Sequence, residues 1–231
     1  MNLLNKLQSS TPARIGVSRC GTRPLTGEML KLRLDHASAV DSVYGEVSGE
    51  TLDEMGWFSV DTCAEHKDMY LKRPDLGRRL RPESEKELLA RCRRSPQVQI
   101  VVSDGLSANS IEANIRDIYP ALLDSLRLRN IEWGTTFFLR GGRVGCMDHI
   151  GELLEPECLV MLIGERPGLV TDQSLSAYMC YKPMKGKTDS DRMVVSNIHK
   201  GGTPPMEAGA HIGAMIQSML RQRSSGIHFV M

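Results

Sequence analysis

The sequence predicts an α/β protein, with a doubly wound, three-layer carboxyl-terminal domain over residues 96–231 and a smaller helical region over residues 1–95. Three observations carry this reading. Leu159 to Ile163 is an unbroken apolar run, the mark of a strand buried on both faces of a parallel sheet. The run stops at Gly164-Glu165-Arg166-Pro167-Gly168, where proline cannot donate to a ladder and the glycines accept a turn. Val98 to Val102 is a β-branched run directly after Pro96, whereas everything before it reads as helix and loop. The turn at residues 164–168 therefore falls at the carboxyl end of a parallel strand, where open α/β sheets bind ligands, so Glu165 and Arg166 are candidate contacts. The alternative is a solvated loop on which the two simply pair.

In chain order, Leu3, Leu4 and Leu7 have helical spacing but no cap, so residues 1–11 read as a frayed tail, with a docking helix as the alternative. Thr11 to Pro24 is punctuated by Gly and Pro and carries Arg14, Arg19 and Arg23. Such an arm can hold a partner's carboxylates or a phosphate through guanidinium forks, or lie as a solvated loop. From Thr26 to Val47, Met29, Leu30, Leu34, Ala37, Val40, Val43 and Tyr44 recur at three and four, which predicts an amphipathic helix. Asp35 and His36 are adjacent on it and do not face each other. Tyr70 to Leu80 is a second basic stretch broken by Pro and Gly. Pro82 opens a helix with Glu83 and Glu85 in its first turn and Arg91, Arg93 and Arg94 in its last, matched to the macrodipole.

After the strand Val98–Val102, Ser107 caps a helix striped by Ile111, Ile115, Ile118, Leu122 and Leu126, which Pro120 should break in two. Thr135 to Leu139 has β propensity, residues 140–142 turn, and Arg143 to Leu154 is helical. Beyond the core strand come a short strand at Ser176–Tyr181, a polar connection, and Met193–Ile198 as strand or extended loop. Thr203 caps the last helix, Pro204 and Pro205 fill its first turn, and Ala208, Ile212, Met215, Ile216, Met219 and Leu220 form its buried stripe, with Gly226 at the end.

The balance of 29 basic and 28 acidic residues leaves a net charge of +1, so no overall field draws the chain to nucleic acid or membranes. Only 5% of residues are aromatic, which argues against base-stacking platforms. Six scattered cysteines show no CxxC pair and no metal spacing, and read as buried small hydrophobes in a reducing cytoplasm. No apolar run approaches the roughly 20 residues of a membrane span, so the chain reads as soluble and intracellular. No nucleophile elbow, Walker loop or GxGxxG turn is present. Asn197-Ile198-His199-Lys200-Gly201-Gly202 is similar to the Asp-x-His-x-x-Gly with which some corrinoid proteins ligate cobalt. Asn replaces the tuning carboxylate and the segment lies late in the chain, so a structural loop is preferred to His199 as a lower axial ligand. His149 and His211 read as helix-surface residues, and Gly209 and Gly213 as a close helix contact.

Taken together, Thr11-Pro12-Ala13-Arg14-Ile15-Gly16, Arg73 to Leu80, Val98 to Ser107, Gly142-Arg143-Val144, Ile163 to Leu169, Ser174-Leu175-Ser176 and Ser196 to Pro205 closely resemble, in order, the light chains of ethanolamine ammonia-lyase. The resemblance runs from about residue 11 to the carboxyl end. It implies a Rossmann-like domain behind a helical amino-terminal region. It also implies a non-catalytic subunit that closes over adenosylcobalamin, kept base-on, against a TIM-barrel large subunit where ethanolamine becomes acetaldehyde and ammonia by a radical route. Carried over by motif, the cobalamin contacts fall on Val144, Glu165 and Val194, with Val194 acting through its main chain. No catalytic residue and no metal ligand is implied on this chain. The resemblance further implies a bacterial cytoplasmic enzyme packed in an ethanolamine-utilisation microcompartment, a role family members give to amino-terminal extensions longer than the ten or so residues ahead of the first motif here. The rival readings are a stand-alone corrinoid carrier using His199 and a structural adaptor that binds only protein.

Overall fold

In the computed structural model the chain is described over residues 3–11 and 13–230; Pro12 of the first motif lies outside the described residues. Leu3–Ser9 forms helix α1 rather than a frayed tail, and none of its residues is buried. A two-residue ribbon, β1 (Arg19–Cys20) with β2 (Arg23–Pro24), leads into α2 (Thr26–Tyr44). The amphipathic pattern expected of α2 does not face a core: Ser42 is its one buried residue among those described, and Leu34 is 69% exposed. Ser48 caps α3 (Gly49–Met55), its hydroxyl accepting from Thr51 N, and Gly56 closes the helix at φ 69°. There follow β3 (Ser59–Asp61), α4 (Lys67–Lys72), a 3-10 turn at Leu76–Arg78, and α5 (Pro82–Arg91).

The second half supplies β4 (Val98–Ser103), α6 (Ala108–Leu128), β5 (Phe137–Arg140), α7 (Cys146–Leu154), β6 (Cys158–Gly164), β7 (Leu175–Tyr181), β8 (Arg192–Ile198) and α8 (Pro205–Gln222). Its strands join β3 in one six-stranded sheet of order β3-β5-β4-β6-β7-β8. The α/β class stands, with two corrections. The sheet takes β3 from the region read as helix and loop only, because Ser59–Asp61 lies parallel beside Phe138–Arg140. It is also mixed: β3, β5, β4 and β6 are parallel, but β7 runs antiparallel to both β6 and β8. A parallel return needs a crossover of a dozen or more residues, usually helical, and residues 165–174 are too few and carry no helix.

Helices cover both faces. On one, α6 and α8 pack Ile111, Ile118, Ile212 and Ile216 against Ile100 and Val102; on the other, α5 and α7 pack Leu88 and Ile150 against Val101 and Met161. Helix α6 runs unbroken through Pro120. The proline lies on the exposed side, and its roughly 3 kcal/mol cost is outweighed by five fully buried stripe residues at about 1.5–3 kcal/mol each. Thr203 does not cap α8: Pro204 holds the cap position without a side-chain bond, and Arg223 at φ 52° closes the helix before Gly226. Gly209 and Gly213 do form the close contact with α6. A Cβ on Gly209 would lie 2.6 Å from the Ile118 carbonyl oxygen, so Gly209→Val is expected to destabilise by about 1–3 kcal/mol, read as a lower urea midpoint at constant m. Among the described residues no helix is long and apolar enough to cross a membrane.

Candidate functional site

The hairpin return of β7 shapes the site. No α-helix follows β7 before β8, so the wing they form is less covered than the parallel strands. Every residue of β4 and β6 is buried, whereas the cross-strand neighbours Tyr178 and Val194 are half-buried and 48% exposed. Two adjoining cavities lie along this wing. The first, about 390 Å³, is lined by Val144, Glu165, Tyr70, Ser176 and Tyr178. The second, about 680 Å³, shares Val144, Arg143 and Tyr178 and adds Val194, Arg78 and Arg192. The structure thus brings Val144, Glu165 and Val194 together around Tyr178, although they come from three different elements.

Glu165 is held rather than loose. Its Oε1 accepts from Ser176 Oγ at 2.5 Å and from Asn197 N at 2.9 Å, and its Oε2 accepts from Ser174 Oγ at 2.7 Å. The carboxylate therefore fastens the end of β6 to β7 and β8, with spare acceptor capacity at Oε2. The alternative in which Glu165 pairs with Arg166 is not observed: among the described residues Arg166 has no ion-pair partner, and it points from the exposed loop at the cavity rim.

The sheet's own switch-point crevice, between the carboxyl ends of β4 and β5 where the following loops part to opposite faces, is narrowed by the chain itself to about 140 Å³. Lys67 pairs with Asp104 at 3.4 Å, Asp104 accepts from Gly141 N at 2.8 Å, and Tyr70 donates its hydroxyl to Gly142 O at 3.0 Å. Burial pushes the Tyr70 phenol far up, so it stays a neutral donor. The larger rooms lie toward the other edge of the sheet, along the end of β6 and the antiparallel wing of β7 and β8.

The floor of the second cavity is ionic. Arg192, its side chain 4% exposed, donates to both oxygens of Asp148 at 2.8 and 2.9 Å and to Asp189 at 2.7 Å. Burial raises the Asp148 carboxyl above its usual range, while Arg192 opposes that shift. Tyr178 is likewise pushed up, first by burial and then by Glu165 and Asp189, so it can donate a hydrogen bond into the trough.

His199 is committed within its own loop: Nε2 bonds Asn197 Oδ1 at 2.8 Å and Nδ1 accepts from Gly201 N at 3.1 Å. A cobalt ligand would have to give up one of these. His149 is not a plain surface residue, since Nδ1 accepts from Leu80 N at 3.1 Å and Nε2 meets Glu85 at 3.2 Å, tying α7 to α5; His211 is exposed. Sequence reasoning missed Tyr178, Arg192, Asp148 and the serine clamp on Glu165. The helix-free loop of residues 165–174 was the available signal, because it forces a hairpin and so places β7 and β8 side chains beside the turn.

Comparison with known proteins bears on this arrangement. A family described as ethanolamine ammonia-lyase light chain (EutC) matches residues 1–229. Among curated proteins, the chain is 47% identical over 221 residues to the ethanolamine ammonia-lyase small subunit of Clostridioides difficile, covering 96% of this chain and 75% of that one. It is 46% identical over 222 residues to the protein of the same description from Listeria monocytogenes, covering 96% and 76%.

Proposed function

The chain belongs to the ethanolamine ammonia-lyase light-chain family, and from that premise we propose that it binds adenosylcobalamin, base-on, between its β7–β8 wing and the TIM-barrel large subunit. It is thus a lyase subunit, and in this reading the radical conversion of ethanolamine to acetaldehyde and ammonia takes place on the large subunit. The observation that carries the reading is that Val144, Glu165 and Val194 line two cavities joined at Val144, Arg143 and Tyr178, together taken as one trough. A corrin is broad and apolar but rimmed with amides, and the trough suits it: Glu165 Oε2 accepts from an amide N–H, Tyr178 donates, and the two valines give apolar contact or main-chain groups. The coenzyme, when bound, supplies the radical. This chain's residues position it and exclude water from one side.

The partner surface is proposed on residues 3–44. Half of the exposed large apolar side chains among the described residues fall there, including Leu3, Leu30, Leu34 and Tyr44. Exposed apolar surface in this number marks protein interfaces, and covering it makes a hetero-oligomer with the large subunit. The proposed location is the bacterial cytoplasm, within an ethanolamine-utilisation microcompartment.

The test is co-expression with the cognate large subunit followed by coenzyme titration. The isolated chain is expected to have no deaminase activity, and the complex to turn over. His199→Ala is expected to leave the spectrum of the bound corrinoid unchanged, since the ring serves its own loop. Activity of the chain alone, or a ligand-exchange spectrum in the variant, contradicts the proposal.

A further inference from the structure

Two arginine side chains cross at the amino end of α7. Arg143 runs over Gly77, whose Cβ would lie 2.7 Å from Arg143 Cγ, while Arg78 runs over Gly145, whose Cβ would lie 3.2 Å from Arg78 Cδ. Neither glycine tolerates a side chain without moving the arginine on it. Arg143 N donates to Gly77 O at 2.8 Å, which locks the crossing. The Arg143 guanidinium lies 4.0 Å over the Tyr70 ring and donates to Tyr70 O at 3.0 Å, yet its Nε is buried with no acceptor among the described residues. Such a donor is costly unless something meets it.

The charge is also unmet. Arg192 in the same cavity is neutralised by Asp148 and Asp189, but among the described residues neither Arg78 nor Arg143 has a carboxylate partner. Val144 N and Gly145 N, ahead of the first turn of α7, likewise have no acceptor among the described residues, and the helix dipole adds to the same field. Two guanidinium groups and free main-chain N–H groups lining one cavity form the donor set of a tetrahedral oxyanion.

We propose that this corner is a phosphodiester subsite. Resting on the reading of the trough as a corrinoid site, Arg78 and Arg143 hold the phosphodiester of the cobalamin nucleotide tail, while Glu165, Val144 and Val194 contact the ring. This gives a role to Arg78 in the Arg73–Leu80 motif and to Arg143 beside Val144, to which the ring contacts assign none.

The experiment measures the affinity of the co-expressed complex for three probes: cyanocobalamin, cobinamide phosphate, which keeps the phosphate but lacks the benzimidazole, and cobinamide, which lacks both. Arg78→Gln, on an exposed side chain, is the primary variant, and Arg143→Lys keeps the charge but removes the fork and Nε. Arg78→Gln is expected to weaken cyanocobalamin and cobinamide phosphate by roughly 10–100-fold, the worth of one charged hydrogen bond, and to leave cobinamide unchanged. Arg143→Lys is expected to show the same pattern to a smaller degree and to lower the melting temperature of the apo complex, since it gives up the bond to Tyr70 O, whereas Arg78→Gln retains it. Equal weakening of all three probes, or weakening of cyanocobalamin alone, overturns the subsite while the corrinoid reading stands. If the wild-type complex binds none of the three, the corrinoid reading itself fails and the subsite goes with it.

Discussion

Replacing Arg192 with methionine is expected to destabilise the chain by about 3–5 kcal/mol, the usual cost of breaking a buried ion pair from one side, or roughly 10–15 °C in Tm for a chain of this size. The physical reason is what remains. Methionine fills part of the space, but Asp148 keeps its charge without the two bonds that Arg192 donated, in a site where burial already holds its carboxyl above the usual range. The exposed Asp189 loses little, because water takes over. A carboxyl whose folded pKa lies above its unfolded one adds stability at pH below the unfolded value and loses it as pH rises through the folded value. Without Arg192 the Asp148 pKa rises further, so Asp148 protonates more readily in the variant, and the deficit relative to wild type is expected to shrink on acidification. Arg192→Met with Asp148→Leu, which removes both partners, is expected to recover most of the loss. A deficit independent of pH, or a double variant no better than the single, would show that packing rather than charge sets the stability. Thermal unfolding across a pH series measures both.

Glu165→Ala is expected to lower the affinity of the assembled enzyme for cobalamin by roughly 10–100-fold, from the loss of a carboxyl acceptor. It also releases the three hydrogen bonds that tie β6 to β7 and β8, so folding and binding fall together. Glu165→Gln separates them. The inner position faces two donors, Ser176 Oγ and Asn197 N, and takes the amide oxygen; the outer position faces Ser174, whose hydroxyl can turn and accept from the amide nitrogen. The clamp survives, but the atom presented to the trough changes from acceptor to donor. Weakened cobalamin binding at an unchanged melting temperature is therefore expected, measured by equilibrium titration and thermal shift. Unchanged affinity in the Gln variant would mean that Glu165 is only a structural clamp.

What the sequence displays well is local. The β6 run, the β-branched β4, the Ser107 cap and the stripe of α8 were all legible because each is written in consecutive or helically spaced residues, and all are present. Strand β3 escaped notice because three residues show no period, and only the neighbouring β5 makes them a strand. Pro120 misled because its position on the solvent side depends on tertiary packing. The site was less legible than the fold. Glu165 was singled out by its place after a buried strand, whereas Val144 and Val194 came from family resemblance, since nothing in their surroundings marks a valine as a contact. Arg192 and Asp148 stand 44 residues apart, and no spacing rule joins them; only the return of β7 and β8 toward α7 does. The narrowing of the switch-point crevice by Tyr70 and Lys67 was equally invisible, and it leaves the larger rooms away from where doubly wound sheets usually keep them.

The outward-facing leucines of α1 and α2 carry a cost in colloidal behaviour. A freshly synthesised chain that meets no mate presents a sticky apron to every other copy, and self-association then competes with correct pairing in proportion to its concentration. If the proposed pairing holds, balanced synthesis of the two subunits is expected to keep the chain in solution, and sedimentation of the chain expressed alone against the co-expressed pair measures it.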